Sequence, residues 1–483
     1  MGPDGNLTSS RPAARAVGES DWKTRSFWTE TADYMPTPAL EGPTSADLVI
    51  VGGGYTGLHT ALNAKALEAD LDIVVIDADV CGYGGSTRNG GFAMTMYGRG
   101  LADLARDVGD ENAARLHAAQ ADALEDLEAF CQRESIDADI RNPGCFTVSN
   151  GPEQDARIDA ELAAAERLGL DGFDYFDRAA IETELHSDWL RCGIFEASCR
   201  LVNPAKLVWG LRDAAMRRGI RIFESTPALS VQTPDKRVGP SHDAGVVVHT
   251  PGGRIDAQRG LVATNSYTSA LPELRRYLIT FYAYIILTEP LSDEQWERIG
   301  WQSRAGFEDR RTFHHYFRPT VDGRILWGGR DAPYVKGGPD PRWDRHPANF
   351  ARLEDTFRTA FPQLGEVGFQ YRWGGPIAGT ARFLPFVGWA GHGRRLAYAA
   401  GYTGHGVGPS ALMGATLADL LTERRSERTD LVFVRKKPMR FPPEWLRAPV
   451  VGSSARLMQA ADDRSGSGRG ADVAFKIASK FLR

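Results

Sequence analysis

Residues 47–57 read Asp-Leu-Val-Ile-Val-Gly-Gly-Gly-Tyr-Thr-Gly, an apolar run that stops at glycines and gives way to a helical pattern. Leu48, Val49, Ile50 and Val51 suit a strand buried on both faces of a parallel sheet. Gly52, Gly54 and Gly57 form G-x-G-x-x-G. The first permits a tight turn, the second lets backbone approach a pyrophosphate, and the third lets the next helix pack on the strand. Leu58, Ala61, Leu62 and Ala66 then recur at helical spacing, so a helix N-terminus with free N–H groups faces whatever the turn holds. A second apolar run, 71–76, ends at Asp77, twenty residues after Gly57, where an acid should hydrogen-bond a ribose hydroxyl. An ordinary glycine-rich loop would explain the glycines but not the acid, so this order predicts a dinucleotide site.

At 483 residues the chain is long enough for two or three domain-sized units. A net charge of −5 gives no support to a nucleic-acid or anionic-membrane partner. The five cysteines, Cys81, Cys131, Cys145, Cys192 and Cys199, include no C-x-x-C pair, which argues against zinc, redox pairs and a disulfide framework. No metal site is expected. Residues 1–20 lack the apolar core of a signal peptide, and no run is long enough to span a bilayer, so a cytoplasmic protein without a membrane partner is expected.

Residues 1–45 read as an arm whose Trp22, Phe27 and Trp28 dock on the body, its first twenty or so residues mobile. A glycine-dense loop at 81–91 follows Asp77 and suits close approach of backbone to something flat. Helices are expected at 116–130, 157–168, 203–218 and 349–361, and strands at 220–223, 244–249 and 260–263. Segment 275–380 alternates and is rich in aromatics, as antiparallel strands with one buried face would be. A strand at 395–400, the glycine turn 401–408 and a helix at 409–421 repeat the strand–glycine–helix plan. The stretch 464–470 reads as a flexible linker to a short terminal helix. The expected fold is an α/β Rossmann-like domain, a parallel sheet with helices, plus an α+β substrate domain built on an antiparallel sheet. The first takes 46–130, 200–270 and 381–430, the second 131–199 and 271–380, and 431–483 is a C-terminal extension.

Five pieces in this order, at 51–57, 84–91, 262–268, 401–407 and 441–444, resemble the D-amino-acid oxidase superfamily of flavoproteins. Within it the chain looks most like the γ-glutamylputrescine oxidase-like amine oxidoreductases. The resemblance implies FAD, its ADP half at Gly52, Gly54, Tyr55, Thr56, Gly57 and Asp77. The isoalloxazine would lie between the loop 85–91, with Gly85, Ser86, Arg88, Asn89, Gly90 and Gly91 as cofactor-binding residues, and the turn 404–408; Thr264, Gly401, Tyr402, Thr403, Gly404, His405, Gly406 and Val407 are cofactor-binding candidates as well. The loop 82–91 has neither Cys nor His, and 373–380 has no Cys, so the FAD is expected to be noncovalent. Where sarcosine oxidases carry a carboxylate-binding lysine this chain has Gly408, which favours an amine over a simple amino acid. No lysine lies between Lys236 and Lys336 to activate oxygen, so oxygen or another electron acceptor remains open. The implied reaction is hydride transfer from a primary or secondary amine to flavin N5, giving an imine that hydrolyses to an aldehyde or ketone plus amine or ammonia.

In the aromatic segment, strand alternation lets one of His314 and His315 face the flavin. Tyr282 and Tyr284, two apart, would share a face and could cage an alkylamine. Arg318, with Arg330 and Arg372 as alternates, is a candidate to hold an anionic end of the substrate. Each has a plain rival: a satisfied histidine, core packing or a structural ion pair. Two other functions stay in play, an NAD(P)H-dependent flavin monooxygenase or reductase and a non-catalytic flavoprotein subunit. The oligomeric state is not legible.

Overall fold

The computed structural model describes residues 7–8, 23, 25–233, 245–270, 274–391, 393–436, 438–447, 449 and 451–453. The expected linker at 464–470 and Trp22 lie outside them, as does most of the stretch expected to be mobile. Leu7–Thr8 is described, and it pairs antiparallel with Ser230–Gln232.

Continuous apolar runs form the parallel sheet. Its five strands lie in the order Arg221–Phe223, Ile73–Ile76, Thr44–Val51, Arg254–Val262, Leu396–Ala400. Every residue of Ile73–Ile76 is buried, because both faces of the sheet are covered. Helices Tyr55–Leu67, Pro204–Arg217 and Val407–Leu421 share one of those cores. The strand expected at 260–263 begins at Arg254, since its polar first half still pairs with Thr44–Val51 on one side and Val246–His249 on the other. The α/β reading of this half holds.

The second sheet runs Tyr334–Val335, Ile279–Thr288, Ile325–Gly329, His315–Pro319, Gly306–Asp309, Cys145–Ser149, Cys192–Glu196, Phe173–Phe176. Phe369–Gly379 pairs along the length of Ile279–Thr288. One pair departs from the expected antiparallel plan: Gly306–Asp309 lies parallel to Cys145–Ser149, from which it is separated by a long excursion of chain. Alternation sorts the side chains of this sheet. Phe146, Phe307, Phe317 and Trp327 are neighbours in register on one face, their ring centroids 4.8, 5.2 and 4.8 Å apart. Helix Pro347–Ala360 covers them through Phe357. Each buried ring contributes roughly 2–3 kcal/mol. The opposite face carries the next residues along, Thr147, Glu308, Tyr316 and Gly328.

The arm docks as expected. Phe27 sits edge-on to Tyr371, and the Trp28 indole N–H donates to Asn89 O at 2.9 Å.

Candidate active site

Between the two sheets lies a cavity of about 2450 Å³. Its first wall is backbone. Gly52 sits at φ +112°, where a Cβ would come 2.7 Å from Ala263 O, and a Cβ on Gly57 would come 2.0 Å from Gly52 O. Only glycine lets the helix Tyr55–Leu67 start this close to its strand. That helix begins at Gly54 without a side-chain cap, and so does Val407–Leu421 at Gly406, leaving two N-termini to face the cavity. The hydroxyls of Thr56 and Tyr402, 2.6 Å apart, tie the two turns together. Asp77 accepts from Gly53 N–H at 2.8 Å and Asp79 N–H at 3.1 Å, and burial pushes its carboxyl up to about 7.

The loop 82–91 is pinned by two arginines. Arg88 donates to Gly84 O at 2.9 Å, Asp344 at 3.2 Å and the Tyr267 hydroxyl at 3.2 Å. Asp344 also pairs with Arg25 of the arm. Arg318 donates to Gly91 O at 2.9 Å and Val202 O at 2.8 Å.

These features fit a flavin dinucleotide: two uncapped helix N-termini for phosphate and for a developing negative charge, glycines with no room for a Cβ, and a carboxylate at a strand end. A family model described as FAD dependent oxidoreductase matches residues 47–420. The chain belongs to this family. It is 30% identical over 443 residues to gamma-glutamylputrescine oxidoreductase of Escherichia coli (strain K12), covering 91% of this chain and 98% of that protein. A probable oxidoreductase, OrdL, of Rhizobium meliloti (strain 1021) is 31% identical over 425 residues, 86% of this chain and 92% of that one. Glycine oxidase from Geobacillus kaustophilus shares the fold with a TM-score of 0.65 at 17% identity, covering 81% of this chain and 99% of that one. FAD is the cofactor of this oxidoreductase.

Of the residues expected to hold FAD, all line the cavity except Gly57, Gly91 and Gly401. Those three stand behind it. Gly57 packs on Gly52, Gly91 at φ +76° lies against Val202 O, and Gly401 donates its N–H to Asn265 Oδ1 at 3.2 Å.

The expected catalytic residues divide. His314 and Tyr282 line the cavity. His315, Tyr284 and Arg318 do not, and these are corrections. His315, 0% exposed, lies on the aromatic face, 4.9 Å from Trp327 and 5.9 Å from Trp189. Tyr282 and Tyr284 do share a face, 6.4 Å apart, but Tyr284 is packed in the core against Phe350, and only Tyr282 reaches from that core to the cavity. Their hydroxyls donate to Asp340 O at 2.7 Å and Trp343 O at 2.9 Å, so no open cage forms. Arg318 is 2% exposed and holds backbone carbonyls, not an anion. Of its alternates, Arg330 lines the cavity while Arg372 pairs with Glu354 outside it.

Sequence reasoning missed Glu308, which lies on the cavity wall at 3% exposure. Burial opposes its charge, yet the neighbouring imidazoles of His405 and His314 hold its carboxyl down at about 2. Burial holds the His314 imidazole down at about 4, so it is neutral near pH 7. The signal was present: of the two acids that follow Phe307, Glu308 has the residue parity that faces away from the aromatic core.

Among the described residues no helix is long and apolar enough to cross a membrane. All five cysteines are buried, free thiols.

Proposed function

We propose that this oxidoreductase oxidises a primary or secondary amine to an imine that hydrolyses to an aldehyde or ketone plus amine or ammonia. FAD, held noncovalently, supplies the hydride acceptor at N5. The observation that carries this reading is the continuation of the cavity past the FAD cradle onto the second sheet. There it runs over Phe281, Phe313, His314 and Tyr316, a surface suited to an alkyl chain that ends in nitrogen. The name of the E. coli relative, which carries putrescine, points to an amine of the same kind. Gly408 adds support: a Cβ there would meet Met94 O at 2.5 Å, so no side chain can reach out from this position to hold a substrate carboxylate.

The part of the chain itself is positional. Arg88 and Arg318 fix the loop 82–91, and the N-terminus of Val407–Leu421 offers partial positive charge where a reduced flavin would be negative. No cysteine lines the cavity, which supports noncovalent FAD. Five free thiols fit a cytoplasmic setting.

The test is anaerobic mixing of the flavin-loaded protein with a broad panel of amines. A substrate bleaches the flavin, and the rate at which colour returns on admitting oxygen separates oxidase from dehydrogenase. If no amine bleaches it, the reading fails.

A further inference from the structure

We propose that Glu308, His314 and His405 form an ammonium seat, the point at which an alkylammonium substrate docks through its nitrogen. The proposal rests on the amine reading above and adds to it which residues receive the charged end.

Three observations converge. The first is geometric. One ligand atom from each of these side chains lies within 4.8 Å of the others, and His405 Nε2 is 3.8 Å from a Glu308 oxygen. Acceptors around one ammonium, each about 2.8 Å from nitrogen at tetrahedral angles, stand about 4.6 Å apart. Ligands around a zinc ion, about 2.1 Å from the metal, would stand about 3.4 Å apart. The separation of 3.8 Å falls between the two figures, so spacing alone admits either cation and charge decides between them.

The second is charge. Glu308 lies on the cavity wall, and its only direct hydroxyl donor among the described residues is Thr147 Oγ1 at 3.3 Å. Arg310, two residues along, pairs with Glu161 instead. With His314 neutral, the carboxylate has only the His405 imidazole beside it, at 3.8 Å, and among the described residues no arginine or lysine pairs with it directly. A buried carboxylate in that state favours a cation from the cavity. A neutral imidazole also offers a lone pair to an N–H donor.

The third is an unmet atom. His405 Nδ1 is buried with no hydrogen-bond partner among the described residues. Tyr316 lies beside Glu308 in register, its ring between Gly90 and Gly328, where it can lie along the alkyl part of such a cation.

The probe is tert-butylammonium, which has no C–H beside its nitrogen and is therefore bound without being oxidised. Titrated into the oxidised, flavin-loaded protein, it should perturb the flavin spectrum saturably. Glu308→Gln should weaken that binding at least tenfold, and Glu308→Asp, which keeps the charge but shortens the reach, by less. Neutral tert-butanol should bind equally to all three proteins. His314→Gln is a second variant, expected to weaken the ammonium about threefold. Equal affinity in the unaltered protein and Glu308→Gln overturns the proposal. So does the absence of any saturable perturbation in the unaltered protein. Stoichiometric zinc binding by calorimetry, lost in Glu308→Gln and unaffected by tert-butylammonium, would make the group a metal site and overturn it as well. Because the probe is not a substrate, a failed amine screen and a failed seat are read separately.

Discussion

The wall proposed to cradle FAD is built from backbone, whereas the wall facing it across the cavity is built from side chains, and the two differ in what a substitution can damage. On the first wall, groups are placed by φ angles and close approach, as at Gly52 and Gly57. On the second, they are placed by strand register, which sets Glu308 beside Thr147 and Tyr316 and turns Phe307 the other way. A new Cβ on the first wall collides with something that cannot move. A changed side chain on the second alters chemistry while the strand stays in place.

The largest expected effect follows directly. Gly57→Ala puts a Cβ 2.0 Å from Gly52 O, which forces helix and strand apart. The purified protein should carry no flavin, measured as flavin absorbance per chain. Gly452→Ala, away from the cavity and with nothing within 4 Å of the added carbon, should keep it. Full flavin in Gly57→Ala would break the contrast between the walls.

Arg318 joins the two. Its guanidinium is buried and donates to carbonyls of the glycine loop and of Val202. Arg318→Met leaves those carbonyls unpaired and should cost about 3 kcal/mol in denaturant unfolding. Affinity for the ammonium probe should stay the same, because the side chain does not line the cavity. A selective loss of probe affinity at unchanged stability would restore Arg318 as a substrate residue.

Asp77 on the first wall and Glu308 on the second are buried carboxylates shifted in opposite directions. Asp77 is raised by burial from 3.8 to about 7, so its contribution to stability is full below its unfolded value and is lost as pH rises through about 7. Glu308 is lowered from 4.5 to about 2 by its histidines, so its contribution is present above 4.5 and lost as pH falls through about 2. Unfolding midpoints of the flavin-free protein across this range should show both slopes. Asp77→Asn should remove the upper one and Glu308→Gln should reduce the lower. A variant that flattens the wrong side would reverse the assignment.

The same contrast explains how much was legible in the sequence. A strand, a glycine turn and an acid lie close together along the chain, so the order 47–77 carried the cradle with it. The 401–408 turn was legible for the same reason. The second wall draws its residues from strands far apart in sequence, and its parallel pair at 306–309 and 145–149 has no local signature. Alternation did indicate that His314 and His315 would part company, and they do. It did not say which face was the core. That depended on Trp189, Trp327 and Phe357 gathering on one side, a tertiary fact. Glu308 was overlooked because acids at the end of a strand, here Glu308 and Asp309, read as solvent-facing until the sheet is assembled.

The smallest effect tests that core assignment. Tyr284 is 0% exposed, its ring stands edge-on to Phe350 at 5.5 Å, and its hydroxyl donates to Trp343 O. Tyr284→Phe keeps the ring and removes one buried hydrogen bond, a loss of about 1 kcal/mol. Unfolding should register that loss, while probe affinity and the rate of flavin reduction by any amine substrate stay unchanged. The opposite pattern, unchanged stability with weaker amine binding, would mean that the tyrosine pair faces the substrate after all. The aromatic core under Pro347–Ala360 would then have to open towards the cavity, and the side-chain wall would extend further than the register of the sheet allows.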